Sequence, residues 1–297
     1  MRHALALPLV ATLLAASGCV DIIGSVDVTS KYVERDEKHF TVTGKPDVVL
    51  STFDGSIEIR PWDNAGVQVV VEKRGRDKDD VALIEVHAQQ SGNRVEITVT
   101  EPEHHGFDIH FNNRSAKLIV SVPASSDVMA KSGDGSIDIE RVTGRLQLRS
   151  GDGSIRGWQL GGDVTAHTGD GSIKLDGVEG VLNVDTGDGS IVLAGKLTSV
   201  RARTGDGSVT IHADPGSAPN SDWDIVTGDG SVTLEVPDDF GAELDAHTGD
   251  GHIRMHDVTL SNVAGTIGKN TVRGRLGRGG RGVRVRTGDG SITLRRS

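Results

Sequence analysis

One phrase, Thr-Gly-Asp-Gly-Ser-Ile or a near variant, recurs nine times along the 297 residues. Its aspartates are Asp54, Asp134, Asp152, Asp170, Asp188, Asp206, Asp229, Asp250 and Asp289, and from Asp134 to Asp206 every interval is 18 residues. A unit this short cannot bury a core alone. It must stack on its neighbours and share one apolar interior, which predicts a solenoid. Within 168–185, Ile173/Leu175 and Leu182/Val184 alternate with polar residues, and Gly-containing corners separate the two runs. Period-2 alternation is the strand signature, so each coil is two strands and two turns.

The expected fold is therefore all-β, a parallel β-solenoid (β-helix) of 18 to 23 residues per coil. Aligning the copies places Ile137, Ile155, Ile173, Ile191, Val209, Val232, Ile253 and Ile292 in one inward column. Ile139, Leu175, Leu193, Ile211, Leu234 and Leu294 form a second, and Leu148, Val184, Ala202 and Ala246 a third on the return strand. Asp138, Glu140, Lys174 and Asp176 alternate outward. Coils about 4.8 Å apart would build a rod of about 40 Å from Asp134 to Asp289.

The spacing loosens after Asp206, to 23 and then 21 residues, and the extra residues at 214–222 and 236–240 read as edge loops. The 39 residues from Asp250 to Asp289 suit two coils if 268–272 is a decayed copy. Between Asp54 and Asp134, 91–97 resembles a degenerate copy, which would place two coils on either side of it. The organisation that follows is 1–19 as a signal segment, 20–45 as a polar tether, 46–131 as irregular N-terminal β coils that cap the rod, and 132–297 as the regular solenoid with a basic end. For 46–131 an antiparallel sandwich against the rod is the other arrangement.

Cys19 is the only cysteine and falls directly after the apolar run 4–16, preceded by Ala16-Ser17-Gly18. That resembles a bacterial lipobox, with Ala16 where Leu is usual, so cleavage by an ordinary signal peptidase stays open beside lipidation. Val20 rather than Asp follows the cysteine, which points to the outer membrane rather than to inner-membrane retention. Aromatic residues make up 3% of the chain while glycine reaches 40, a balance suited to thin aliphatic interiors with tight corners. The formal charge of -10 argues against a nucleic-acid partner.

Asp-Gly between alternating runs is a tight-turn signal, because Gly accepts positive φ and the Asp carboxylate accepts nearby N–H groups. The nine aspartates accordingly read as turn caps. A calcium column is the alternative, but the second turn of each coil carries no repeated Asp, so half of a repeat-toxin ligand cage is missing. Catalysis by paired carboxylates needs two unlike environments, and identical copies do not provide them. His104, His105 and His110, with Glu103 and Asp108 nearby, could hold a transition metal, yet their spacing matches no metal motif and a solvated loop is the simpler reading. His167 and His247 occupy outward positions. The segment 269–297 sets nine basic residues against Asp289 alone. It reads either as a surface for anionic headgroups or a second molecule, or as a charged end that prevents stacking of open strand edges.

The repeated Thr-Gly-Asp-Gly-Ser-Ile phrases, together with Gly268-Lys269-Asn270 and the closing 286–292, resemble the bacterial putative adhesin family, across residues 41–294. The resemblance implies a β-helix of unknown function and offers no catalytic residue. The stretched copies after Asp206, and His252 in place of Ser, depart from the pattern. The expected function is a non-catalytic, lipid-anchored envelope module for adhesion, scaffolding or binding, outside the cytoplasm. A calcium-stabilised binding rod is the second class and an envelope polysaccharide enzyme the third. No cofactor is expected. The expected partners are the membrane, through the lipid, and an envelope glycan, lipid headgroup or protein.

Overall fold

The computed structural model describes residues 25–27, 31–101, 114–263 and 268–297, so Cys19 and the His104, His105 and His110 loop lie outside the described residues. Twenty-four strands among the described residues join one hydrogen-bonded sheet, and the one helix among them is Lys78–Ala82. The repeat translates directly into register. Ile137–Glu140 pairs in parallel with Ile155–Trp158, and that strand with the start of Ile173–Thr186, each residue opposite its counterpart 18 positions on. The return strands do the same, with Thr143–Arg149 on Gly161–Thr168 and that strand on the second half of Ile173–Thr186. Because a strand alternates its side chains between faces, identical register stacks like on like. The three inward columns are buried as the alternation requires, except that Ile253 is half-buried. One apolar cluster runs unbroken from Phe40 to Leu294.

The order of the rungs departs from the order of the chain at both ends. Asp47–Thr52 pairs with Asp127–Ser132 on one side and Arg94–Thr100 on the other, and Ile57–Pro61 lies between Ile137–Glu140 and Ser115–Val122. The Asp54 rung therefore touches the Asp134 rung directly, and the expectation of two coils on either side of 91–97 fails. The intervening residues do not wind onward; they fold back. Glu85–Ser91 and Arg94–Thr100 make an antiparallel hairpin around Gly92, whose φ of 60° suits a tight reversal. Gly66–Gly75 runs antiparallel to Ser115–Val122. Lys31–Thr41, placed in the expected tether, is a strand paired antiparallel with Gly66–Gly75. Both arrangements expected for this region are corrected in part, since antiparallel pairings of Gly66–Gly75 and Glu85–Ser91 stand beside parallel pairings of Asp47–Thr52 and Ile57–Pro61 in the same sheet. Its short helix is pinned by Asp80, which bonds Arg76 at 2.6 Å and Arg114 at 3.5 Å. The Arg76 hydrogen bond outweighs burial and holds the Asp80 carboxyl down at about 2.

At the other end the last rung in sequence is the last but one in space. Gly282–Thr287 inserts between Trp223–Thr227 and Ala242–Thr248, and Ile292–Arg296 inserts between Val232–Val236 and Ile253–His256. The expected pair of coils between Asp250 and Asp289 is replaced by Thr271–Leu276, which runs antiparallel to Ala242–Thr248. Lys269 and Asn270, in the segment expected to be a decayed copy, instead close the turn of the Asp250 rung. Their carbonyls accept from the Ile253 and Thr248 N–H groups at 2.9 and 3.0 Å. The longer rungs beside the inserted one hold larger side chains, with Trp223 and Phe240 buried edge-to-face at 5.3 Å.

The alternation has a direct test in two adjacent residues. Ile173 is fully buried between Ile155 and Ile191 while Lys174 is exposed. Ile173→Asp buries an unpaired charge and should cost about 4 kcal/mol, whereas Lys174→Asp should stay within about 0.5 kcal/mol. Thermal melting of the two variants checks this, and equal losses would refute the assigned faces.

Candidate functional site

All nine repeat turns occupy consecutive rungs, in the spatial order Asp54, Asp134, Asp152, Asp170, Asp188, Asp206, Asp229, Asp289, Asp250. Two glycine columns bring the turns together. From the Asp152 turn on, the first Gly donates its N–H to the first Gly carbonyl of the rung before, as in Gly187 to Gly169, Gly228 to Gly205 and Gly288 to Gly228, all at 2.6 Å; the Asp54 turn has Phe53 at this place, and Gly133 donates to the Thr52 carbonyl. A Cβ on Gly135, Gly153, Gly171, Gly189, Gly207, Gly230, Gly290 or Gly251 would come under 3.0 Å from the neighbouring backbone. None of these eight has a positive φ; of the second glycines only Gly55, in the Asp54 turn, does, at 137°. Close approach between rungs, rather than the left-handed freedom assumed from sequence, is what requires glycine here.

The hydroxyl before each turn carries the cross-rung bonding. Thr168, Thr186, Thr204, Thr227, Thr248 and Thr287 are buried. Thr186 Oγ1 faces the carbonyls of Gly169 and Gly171 at 3.2 and 2.8 Å, and Thr287 Oγ1 those of Gly228 and Gly230 at 3.3 and 2.7 Å. Ser132 and Ser150 fill the same place in the first copies. In return, the second Gly of a turn donates to its own hydroxyl, as Gly251 does to Thr248 at 3.0 Å. The nine aspartates, by contrast, are all exposed. Burial, then the charges of Asp134 and Glu101, raise the Asp54 carboxyl above the ordinary range against a Gly55 N–H that lowers it. Among the described residues no three His, Cys, Asp or Glu side chains come together as a metal site.

Much of the basic C-terminal charge is spent inside the stack. Arg286, on the inserted rung, and Arg273, on the end strand, both bond Asp245, at 2.6 and 3.0 Å. Arg275 bonds Glu243 at 2.8 Å, and Arg295 bonds Glu235 at 2.6 Å. Burial pushes Asp245 and Glu235 up, but the arginines, with His212 beside Glu235, outweigh it and hold both carboxyls below their usual range. Lys269, Arg278, Arg281 and Arg284 remain exposed at this end. His167 and His247 are exposed as expected.

The surface feature that sequence reasoning missed is Trp158. It lies on the outward face of its strand between Glu140 on one rung and Asp176 on the next, and is 47% exposed. It borders a hollow of about 330 Å³ with Glu58, Arg60, Asp138, Arg156 and Lys174. Beneath it, Gly157 occupies the inward column, where the Leu160 and Leu175 side chains already fill the space a Cβ would need. Parity alone could have found it: Ile155 points in, so Trp158, three residues on, must point out. The return-strand face carries a second hollow of about 470 Å³, lined by Arg149, His167, Asp185, Arg201 and Arg203.

A family model, Toastrack DUF4097, matches residues 47–295. The chain belongs to the Toastrack DUF4097 family. The matched span runs from the first rung strand to the last, so the family unit is the whole stack with its N-terminal cap. Similar solved structures include a putative adhesin from Bacteroides fragilis, 10% identical with a TM-score of 0.42, covering 89% of this chain and 97% of that one. A putative lipid binding protein from Parabacteroides distasonis is 13% identical with a TM-score of 0.42, covering 88% and 96%. A putative cell adhesion protein from Clostridium sporogenes is 14% identical with a TM-score of 0.29, covering 89% and 100%. Among curated proteins none matches the chain. No helix among the described residues is long and apolar enough to cross a membrane.

The unequal standing of threonine and aspartate in the turn is measurable. Thr186→Val keeps the shape but leaves the buried Gly171 carbonyl without its hydroxyl donor, and should cost about 1–3 kcal/mol. Asp188→Asn, two residues on and exposed, should change stability by less than about 0.5 kcal/mol. Denaturant unfolding of both variants decides it; a larger loss for Asp188→Asn would mean that the carboxylate caps the turn.

Proposed function

We propose that this Toastrack chain is a non-catalytic envelope lipoprotein, a parallel β-solenoid rod that acts as a binding or adhesion module and is anchored at Cys19. The observation that carries the reading is the unbroken stack of nine equivalent turns, which turns a repeated phrase into long ladder faces studded with outward side chains. Such faces suit extended partners. From Asp134 on, the repeated carboxylates share one exposed environment along the turn edge, whereas acid–base chemistry needs two that differ. The glycine columns and the buried threonine column are committed to stacking, which leaves recognition to the outward positions.

The anchor rests on the sequence: a lone Cys19 directly after an apolar run, with the first sheet strands following soon after. In cells, Cys19→Ala should move the protein from the membrane fraction to the soluble extracytoplasmic fraction. The released protein, added back to intact envelopes, should bind them saturably. Unchanged membrane association would refute the lipid anchor, and a lack of saturable binding would refute the binding module.

A further inference from the structure

Three tryptophans serve three different ends. Trp223 is buried in the core, and Trp62 is half-buried with its Nε1–H donated to the Gly66 carbonyl at 3.0 Å. Trp158 is exposed, and its indole has no hydrogen-bond or ring partner among the described residues. Its neighbours give it no structural reason to be aromatic. In register it sits between Glu140 and Asp176, and a carboxylate on each side does not repay an indole as an aromatic or β-branched pair would. The platform beneath it is nonetheless fixed. The Trp158 carbonyl accepts the Arg141 N–H at 2.8 Å, and the next residue, Gln159, donates to the Asp176 carbonyl at 2.8 Å. Arg141 and Gln159 both hold φ at 51°, a strained corner for side-chain-bearing residues that sets where the ladder ends.

The charges around the indole nearly cancel. Arg60 pairs with Glu58 at 3.3 Å and Arg156 with Asp138 at 3.5 Å, while Asp176 and Lys174 stand without an ion-pair partner among the described residues. An anionic polymer would meet four carboxylates here, and an apolar segment would bury charges at high cost. A ligand with an apolar face and a rim of uncharged hydroxyls meets neither penalty. Its C–H face covers the indole, its hydroxyls donate to the carboxylates, and its oxygens accept from the guanidinium and ammonium groups. A hollow of about 330 Å³ is at the lower end of the range for small-ligand sites. We propose that the hollow at Trp158 binds an uncharged saccharide, one sugar ring stacked on the indole with its hydroxyls held by Glu140 and Asp176.

This inference rests on the binding-module reading and names its ligand class. Calorimetric titration of the full protein with chitohexaose, cellohexaose and maltohexaose, and with polygalacturonate as the acidic comparison, tests it. At least one neutral oligosaccharide should bind saturably. Trp158→Ala should weaken that binding by at least about tenfold, and Asp176→Asn should weaken it less. Both variants should melt with the wild type, since both residues are exposed. Failure of all three neutral sugars to bind, unchanged binding in Trp158→Ala, or preference for polygalacturonate would overturn the proposal. Capture of the Trp158→Ala protein by intact envelopes separates the two levels. If it persists while no sugar binds at the hollow, this site falls and the binding module stands.

Discussion

The contact on which everything else depends is the approach of one turn to the next. Two peptide backbones can stack at rung spacing through a corner only if nothing projects between them, and the paired glycines remove every Cβ that would. Once the turns close, their carbonyls are buried and need donors. The threonine hydroxyl of the next rung provides one, while its oxygen takes an N–H of its own turn. An unmade hydrogen bond here would cost more than a made one gains, so the hydroxyl is held tightly. The Ile, Leu and Val columns follow, because a fixed turn fixes the register of both strands leaving it.

This contact also explains how the chain can leave the stack and return. Each rung offers its neighbour the same two glycine edges and the same apolar columns. A segment that carries the phrase can therefore dock on any rung with a free side, whatever its distance in sequence. Residues 47–61 dock below the Asp134 rung across a long excursion, and residues 282–296 dock above the Asp229 rung although they follow the Asp250 segment in sequence. Arg286 and Arg295 then tie the inserted rung to Asp245 and Glu235 on its neighbours. Antiparallel strands bracket both faces of the stack at its N-terminal end and the return-strand face at the other, while Ile253–His256 pairs only with Ile292–Arg296 among the described strands.

The sequence made the rung legible and the ends illegible, for physical reasons. An 18-residue period with Ile173 and Leu175 alternating against Lys174 and Asp176 leaves one assignment of faces. Interval lengths of 80 and 39 residues carry no such information, because a chain can wind, fold back or insert within them at similar cost. In the turn, the letters Asp and Gly suggested capping and positive φ, which are local effects. The deciding contacts are between rungs, and a single copy does not show them. Trp158 was legible by parity but hidden by attention to the repeat, since it falls where other copies carry Glu140 and Asp176.

Engineered cysteines read the order of the rungs directly. In a Cys19→Ala background, Ser231→Cys with Ser291→Cys places two thiols on adjacent rungs, where the Ser291 N–H lies 3.3 Å from Ser231 Oγ. Ser231→Cys with His252→Cys places them two rungs apart, at about 10 Å. Oxidation should cross-link the first pair rapidly and the second poorly. A fast disulfide in the second pair and none in the first would mean that the rungs stack in chain order, and the account would be wrong.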